Sequence, residues 1–287
     1  MTRVVAIGGG HGLAATLRAV LPWADHLTAV VSTADDGGST GRLRAGRPLP
    51  GLGDLRRCLS TLADPETPWA QALERRFETG DLAGHPAGNL VLLSLLEVLG
   101  DLQGACDELA RTAHVDPARA RVVPVTGEPV VLCARTTDGE EIEGQVAVAE
   151  TEGIDEVWIE PAAVASSVAL DAVGQADLIV LGPGSLYTSV LAAAVVGDLR
   201  KALADRRGSL VYVGNLRPDH RETLGYDQAA HVAALARHDL HPDLVLCPVD
   251  GLAVGALRVP VVQEDLAAPD GLAHDPVRLG AALRALL

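Results

Sequence analysis

Aromatic residues, basic charge and paired cysteines are all scarce in this 287-residue chain, and each scarcity excludes a class of function. Aromatic side chains make up 2 % of the residues, so the ring surfaces on which unpaired bases stack are almost absent. The lysines and arginines number 23 against 38 acidic residues, and the resulting net charge of −15 repels phosphate backbones and anionic lipid. We therefore expect neither nucleic acid nor a membrane among the partners of this protein.

The chain also lacks the features of an exported or membrane-spanning protein. Its four cysteines have no Cys-x-x-Cys spacing, which favours a reducing compartment, and its nine histidines have no zinc-site spacing. Met1 is followed within a few residues by a short strand-like run, unlike a secretory signal. Gly, Asp or Arg interrupts every apolar run before it reaches the length of a bilayer span. We expect a cytoplasmic protein.

Strand and helix patterns alternate along the chain, which predicts an α/β fold with a mostly parallel sheet and helices on both faces. The predicted strands are Val4–Ile7, Leu27–Ser32, Leu178–Leu181, Leu210–Val213 and Leu244–Leu246, and the predicted helices include Leu13–Leu21, Leu186–Val196, Ala229–Ala236 and about Pro276–Leu287.

The segment between the two alternating halves has a different pattern. Residues 121–160 contain β-like runs at Val122-Val123, Val130-Val131-Leu132 and Val146-Ala147-Val148, and a hairpin signal at Asp138-Gly139. We interpret them as a small antiparallel β excursion within a single domain spanning 1–287.

Three helices are predicted before this excursion. Asp54 is predicted to cap the first of them, and the second is predicted to include Phe77. The run Leu90–Leu99 is apolar nearly all round, which predicts a buried helix.

Two glycine-rich loops follow predicted strands and begin predicted helices, as phosphate-binding loops do. The first is the stretch 8–13, GGGHGL, which lacks the last glycine of a dinucleotide fingerprint because Leu13 stands there. The second is 182–189, GPGSLYTS, in which hydroxyls and backbone amides could donate to phosphate. Together they predict a diphosphate held between the two halves of the chain, with Asn215 beside it. Tight structural turns are the alternative for both loops, and a turn residue is the alternative for Asn215.

The stretch 32–44, STADDGGSTGRLR, places two adjacent carboxylates on a glycine turn after a strand. Because adjacent carboxylates repel each other, Asp35 and Asp36 predict a divalent cation such as Mg²⁺ or a ligand with hydrogen-bond donors. A solvated turn with Asp–Arg pairing is the alternative.

Further along, the stretch 84–89, GHPAGN, places His85 before a helix. His85 is the candidate general base, since an unperturbed histidine pKa of about 6.5 suits that role. A structural histidine is the alternative. No nucleophile elbow of the form G-x-S-x-G is present.

Five segments in this order resemble one known family: GGGHGL, ADDGGSTGRLR, GDLR at 53–56, GHPAGNL and LGPGSLYTS. The chain is similar, from residue 4 to about residue 231, to the YvcK family of bacterial gluconeogenesis or morphogenesis factors. That family is a branch of a superfamily that also contains CofD, the 2-phospho-L-lactate transferase. The resemblance implies a Rossmann-like fold, a UDP-N-acetylglucosamine-type ligand, and a role linking carbon metabolism to cell-wall synthesis and cell shape.

The ligand-binding candidates combine these loops with the resemblance, and Asp35, Asp36 and His85 are the catalytic candidates. The ligand-binding set is Gly8, Gly9, Gly10, His11, Gly12, Leu13, Gly37, Gly38, Ser39, Arg42, His85, Asn89, Gly182, Pro183, Gly184, Ser185, Tyr187, Thr188 and Asn215.

Some positions depart from the family pattern. His11 stands where the family usually has Thr, Pro86-Ala87 replaces Ser-Phe, Ala273 stands where Arg is expected, and the run 216–221 differs throughout. Three functions stay open: a regulatory protein that binds a nucleotide diphosphate or nucleotide-sugar, a CofD-like transferase in which Asp35 or Asp36 holds Mg²⁺, and an NAD-binding oxidoreductase. A homo-oligomer is also left open.

Overall fold

The computed structural model describes residues 1–218 and 221–287. Seven parallel strands form the main sheet, in the order β3-β2-β1-β7-β8-β9-β10, and three antiparallel strands form a small sheet in the order β5-β4-β6. The strands are β1 (Arg3–Gly8), β2 (His26–Val31), β3 (Ala120–Pro124), β4 (Val131–Thr136), β5 (Glu141–Glu143), β6 (Ile154–Glu160), β7 (Leu178–Leu181), β8 (Ser209–Val213), β9 (Leu244–Pro248) and β10 (Val261–Glu264).

The chain reverses its direction of travel across the sheet between β1 and β7. It runs outward from β1 through β2 to β3, then returns to pair β7 with the other side of β1, in register from Val4↔Leu178 to Ile7↔Leu181. From β7 it runs outward again to β10. The loops after β1 and β7 therefore leave the same edge of the sheet side by side, at the kind of switch point where open α/β sheets bind ligands.

Helices cover both faces of the main sheet. Neighbouring residues of β1 point alternately into two hydrophobic clusters, with Val5 and Ile7 in one and Val4 and Ala6 in the other. Burial on both faces explains why the strands are continuous apolar runs. The helices are α1 (Gly10–Val20), α2 (Gly38–Arg44), α3 (Gly53–Leu62), α4 (Trp69–Glu74), α5 (Ala87–Leu99), α6 (Leu102–Thr112), α7 (Gln145–Ala149), α8 (Ser167–Gln175), a π-helix (Leu186–Leu191) continuous with α9 (Ala192–Ala194), α10 (Leu199–Ala204), α11 (Gln228–Arg237) and α12 (Pro276–Arg284).

The predicted α/β fold with a mostly parallel sheet is confirmed, but the predicted excursion begins too early. Val122-Val123 lies in β3, which pairs in parallel with β2 at the edge of the main sheet. The antiparallel sheet is confined to β4–β6, and Asp138-Gly139 forms the turn between β4 and β5 as predicted. The β prediction for Val146-Ala147-Val148 is wrong, because these residues lie in helix α7.

Three helix predictions need correction. Asp54 is the second residue of α3 rather than its cap, and the next helix ends at Glu74, before Phe77. The helix α5 is not buried all round: Leu92 and Leu93 face the core, whereas Val98 is 82 % exposed. This helix packs against other helices instead of the sheet, so only one of its sides is covered. Among the described helices, none combines the length and apolar character needed to cross a membrane.

Candidate functional site

The two glycine loops predicted to lie together touch at the switch point. A Cβ on Gly12 would lie 2.0 Å from the Pro183 carbonyl oxygen and 2.9 Å from the Gly184 Cα, so only glycine allows this approach. The Thr16 hydroxyl on α1 donates to the Gly182 carbonyl over 2.9 Å and joins the loops a second time. Together they form one continuous surface at the carboxyl edge of the sheet.

A cavity of about 160 Å³ opens on this surface, and we name it the switch-point cavity. Among its described lining residues, the Arg217 guanidinium carries the positive charge. The side chain of His274 is buried, and its Nε2 donates to the Gly214 carbonyl over 3.1 Å, while burial lowers the pKa of His274 to about 4. The pKa of His11 is lowered too, by burial and then by Arg57. The lining residues are His11, Gly12, Ala15, Pro183, Gly184, Asn215, Leu216, Arg217, Pro218, Leu272, Ala273 and His274.

Asn215 fixes the second glycine loop. Its side-chain oxygen accepts from the Gly184 amide over 3.1 Å, and its side-chain nitrogen donates to the Gly184 carbonyl over 3.0 Å. The Asn215 carbonyl in turn accepts from the Gln228 side chain over 3.0 Å. Both polar atoms of the Asn215 side chain are therefore engaged by the loop, and its predicted contact with a ligand stays a prediction.

The amides predicted to donate to phosphate at the helix after β7 donate to a carboxylate of the chain itself. The Tyr187 and Thr188 amides reach the two oxygens of Glu222 over 3.1 and 3.2 Å, and Glu222 is fully buried. The Tyr187 hydroxyl donates to the Ile154 carbonyl over 3.0 Å, inside the core. Glu222 therefore occupies, at these two amides, the place expected for an anionic ligand.

A second cavity, of about 200 Å³, lies beside the acidic loop, and we name it the acidic-loop cavity. Asp35 faces it from the loop after β2 and accepts from the Gly37 amide over 3.0 Å. A Cβ on Gly53 would lie 2.7 Å from an Asp35 oxygen. The lining residues are Asp35, Gly37, Gly38, Ser39, Thr40, Gly53, Asp54, Arg56, Arg57, Arg76, Pro86 and Asn89.

The carboxylate that accompanies Asp35 in this cavity is Asp54. It accepts from the Gly10 amide and, over 3.3 Å, from Arg57. Burial and then the neighbouring Asp35 raise the pKa of Asp54 to about 6, against the opposing effect of Arg57. A cation between the two carboxylates would relieve this repulsion.

Asp36, predicted as the second metal ligand, points elsewhere. Its two oxygens accept from the Gln145 and Val146 amides, each over 3.0 Å, so it caps the first turn of α7. Asp36 therefore has a structural role at the start of α7, and the metal role predicted for it stays a prediction.

We expect Asp36→Ala to lower the free energy of unfolding by about 0.5–2 kcal/mol, since it removes a helix cap. Urea denaturation followed by circular dichroism measures this loss. Titration with Mg²⁺ should give the wild-type response, and loss of that response in Asp36→Ala would return Asp36 to the cation site.

The oxygen donors of the acidic-loop cavity suit a hard cation. Asp35 and Asp54 supply carboxylates, and the Thr40 hydroxyl lies beside Gly53 next to them. Within the described residues, no three acidic, histidine or cysteine side chains converge on one point. Mg²⁺ is commonly bound by one or two carboxylates, with waters or ligand phosphates completing its octahedron, so this donor set fits it.

A buried hydrogen-bond chain borders the same cavity. The Ser39 Oγ lies 2.7 Å from His85 Nδ1 and accepts from Asn89 Nδ2 over 3.1 Å, while Arg56 Nε donates to Asn89 Oδ1 over 3.3 Å. Arg42 lies outside the cavity lining and donates to the Ala83 carbonyl over 2.8 Å, which fastens the loop that carries His85.

The remaining predicted residues are distributed unevenly around the two cavities. Leu13 and Tyr187 are core residues, and the Thr188 hydroxyl is buried with no hydrogen-bond partner among the described residues. Asp219 and His220, from the run that departs from the family pattern, lie outside the described residues. Sequence reasoning missed the site roles of Asp54, Arg57, Arg217 and Glu222, although the segment GDLR at 53–56 already marked the first of them.

A family model described as 2-phospho-L-lactate transferase CofD matches residues 4–265, which is most of the chain. The chain belongs to the CofD family. A Mycobacterium tuberculosis (strain H37Rv) relative bearing the name "Putative gluconeogenesis factor" is 39 % identical over 312 residues, covering 98 % of this CofD-family chain and 89 % of the relative.

Two relatives of the same name are longer. The Nostoc sp. relative is 39 % identical over 236 residues, 81 % of this chain and 51 % of its own, and the Deinococcus radiodurans relative is 40 % identical over 250 residues, 85 % and 53 %. This CofD-family chain thus spans about half the length of those two. A solved UPF0052-family structure from Bacillus halodurans superposes with a TM-score of 0.93 at 30 % identity, covering 99 % of this chain and 98 % of that one. The predicted resemblance to the gluconeogenesis-factor branch of the CofD family is confirmed.

Proposed function

We propose that this protein binds a nucleotide diphosphate sugar of the UDP-N-acetylglucosamine type at the switch-point cavity. The proposal rests on the contact of Gly12 with the backbone of Pro183 and Gly184, which gives a glycine-rich rim to a cavity that Arg217 also lines. Backbone edges without side chains allow a diphosphate to approach closely, and a guanidinium offers paired donors for its oxygens. Because Glu222 takes the amides of Tyr187 and Thr188, the diphosphate lies nearer to Gly12 and Arg217 than to those two amides.

We further infer a regulatory role in which this ligand reports the supply of cell-wall precursor to carbon metabolism and cell shape. The name of the relatives, which refers to gluconeogenesis, supports the metabolic side of this role. Binding without turnover is what a sensor requires.

A second function is favoured by the Asp35–Asp54 pair. A Mg²⁺ ion held by these carboxylates would neutralise phosphate oxygens and permit transfer of a substituted phosphate group, as the description of the family model suggests. The Asp54 carboxylate, which lines the acidic-loop cavity, lies against Gly9, since a Cβ on Gly9 would overlap one of its oxygens. Gly9 belongs to the same loop as His11 and Gly12, which line the switch-point cavity, so a diphosphate there can extend towards a cation at Asp54.

Calorimetric titration with UDP-N-acetylglucosamine, GDP and NAD, each with and without Mg²⁺, separates these functions. Binding of the UDP-sugar without Mg²⁺ and without turnover is the result expected of the sensor. Binding of GDP that strengthens with Mg²⁺ favours the transferase, and binding of NAD alone contradicts both.

The matched variants are Arg217→Ala and Arg207→Ala. We expect Arg217→Ala to weaken binding about tenfold, because it removes a charge-assisted hydrogen bond to phosphate. Arg207 is also exposed but precedes β8, at the opposite edge of the sheet, so Arg207→Ala should bind normally. Equal affinities of the two variants for the ligand would contradict binding of the diphosphate in the switch-point cavity.

A further inference from the structure

Ser39 and His85 are distant in sequence and adjacent in space. The Ser39 Oγ lies 2.7 Å from His85 Nδ1, and each residue is 7 % exposed. Ser39 belongs to α2 and also lines the acidic-loop cavity, in which Asp35 and Asp54 lie. A hydroxyl within hydrogen-bond reach of an imidazole nitrogen is the arrangement from which serine nucleophiles are built.

The orientation of this pair is fixed by its neighbours. The Arg56 guanidinium has donors and no acceptor, so the side-chain atom of Asn89 that faces it over 3.3 Å is the oxygen. The Asn89 nitrogen therefore faces Ser39 Oγ, over 3.1 Å, and donates to it. The Ser39 hydroxyl hydrogen is not used in this contact and is available to His85 Nδ1, to which it donates when the imidazole carries its own hydrogen on Nε2.

His85 is in the protonation state that accepts this hydrogen. Burial lowers its pKa, and the charged groups acting on it, Arg42 on α2 and Arg76 between α4 and α5, lower it further. The imidazole is thus neutral at neutral pH, and the tautomer with its hydrogen on Nε2 leaves Nδ1 able to take the Ser39 proton. The donor hydrogen bond from Asn89 stabilises negative charge on Ser39 Oγ as that proton leaves.

We propose that Ser39 is a nucleophile towards phosphorus, that His85 is its general base, and that Asn89 positions and polarises the hydroxyl. None of these roles follows from binding a nucleotide-sugar alone. The reactivity of Ser39 is independent of the proposed function, and only the identity of its natural phosphate donor rests on that function.

The Ser39 hydroxyl displaces the leaving group of a phosphoryl donor, and no other reactant takes part. Ser39 Oγ attacks the phosphorus of a phosphoryl group in the acidic-loop cavity and forms an Oγ–P bond. The bond from phosphorus to the leaving oxygen breaks, and that oxygen departs with the electron pair. The hydroxyl proton passes to His85 Nδ1, and Arg57 and Arg76, which line the cavity, face the phosphoryl oxygens.

Diisopropyl fluorophosphate tests the nucleophile without any nucleotide. It is a phosphorus electrophile whose fluoride leaves when a serine oxygen attacks, and intact-mass measurement with peptide mapping identifies the labelled serine. We expect Ser39 to be labelled at least about 100-fold faster than Ser94, an exposed serine whose hydroxyl donates to the Leu90 carbonyl over 2.8 Å. Ser39→Ala should abolish the fast labelling.

Two conservative variants separate chemistry from structure. His85→Gln keeps a polar side chain but loses the base, and we expect its labelling to slow about 100-fold. Asn89→Asp keeps the acceptor for Arg56 but removes the donor to Ser39, so its labelling should also slow. Circular dichroism melting establishes that each variant is folded.

Ser39 labelled no faster than Ser94 in the full wild-type chain, or His85→Gln labelled at the wild-type rate, would overturn the proposal. Calorimetry with UDP-N-acetylglucosamine on the wild type and on Ser39→Ala is read separately. Ligand binding without fast labelling contradicts the nucleophile and supports the proposed function. Fast labelling without ligand binding supports the nucleophile and contradicts the proposed function.

Discussion

Glu222→Ala is expected to destabilise the protein by about 2 to 5 kcal/mol. The two oxygens of Glu222 accept from the Tyr187 and Thr188 amides, and the side chain is fully buried. Removal of the carboxylate leaves two buried amides without partners, and each unsatisfied donor costs about 1–3 kcal/mol. Urea denaturation followed by circular dichroism measures the change in the free energy of unfolding.

The controls isolate the carboxylate from the loss of side-chain volume. Glu222→Gln retains one acceptor oxygen and can satisfy one of the two amides, so its stability should lie between those of the wild type and Glu222→Ala. Glu66→Ala removes an exposed glutamate and should change stability by less than about 0.5 kcal/mol. A loss below about 1 kcal/mol for Glu222→Ala would show that water replaces the carboxylate at these amides.

The position of the site was predictable from the sequence, because the ends of parallel strands gather at one edge of a sheet. The loops 8–13 and 182–189 follow strands that pair directly, so their contact follows from the topology. The partners of their amides were not predictable. Glu222 lies in an irregular segment 34 residues beyond Thr188 and carries no periodic signal, so only the folded backbone shows where its carboxylate goes.

The acidic loop shows a second limit of sequence reasoning. Asp35 and Asp36 look equivalent in sequence, but in the loop after β2 their side chains diverge: Asp36 reaches α7, whereas Asp35 faces the acidic-loop cavity. The real partner of Asp35 comes from α3, as Asp54. In the same way, Ser39 and His85 were each singled out from the sequence, but their pairing over 46 positions required the fold.

Asp54→Asn is expected to stabilise the metal-free protein at pH 7.5 by up to about 3 kcal/mol, although it removes a hydrogen-bonded carboxylate. Burial and the neighbouring Asp35 raise the pKa of Asp54 from 3.8 to about 6. Each unit of that difference corresponds to about 1.4 kcal/mol. Between about pH 4 and pH 6 the folded protein keeps a proton that the unfolded chain has lost, so wild-type stability falls as the pH rises through this window. Asparagine carries no charge to desolvate, and it still offers an oxygen to the Gly10 amide.

The pH dependence distinguishes this cause from general repacking. Urea midpoints of the wild type and Asp54→Asn should converge at about pH 4, where both side chains are neutral, and separate as the pH approaches 6. Asp35→Asn should show part of the same gain, because it removes the charge that repels Asp54. Asp171→Asn, an exposed change on α8, should follow the wild type throughout. A constant difference between Asp54→Asn and the wild type from pH 4 to pH 8 would exclude ionisation as the cause.

Magnesium is expected to stabilise the wild type relative to both variants if Asp35 and Asp54 hold it. A cation bound to the folded state alone raises the melting temperature, and it favours the charged form of Asp54 that burial disfavours. We expect Mg²⁺ to raise the melting temperature of the wild type at pH 7.5 and to leave Asp54→Asn and Asp35→Asn unchanged. A wild-type melting temperature that is insensitive to millimolar Mg²⁺ would contradict a cation site at Asp35 and Asp54. A carboxylate kept at a cost to the metal-free fold is the pattern expected of a functional group, because a purely structural site has no reason to retain the repulsion.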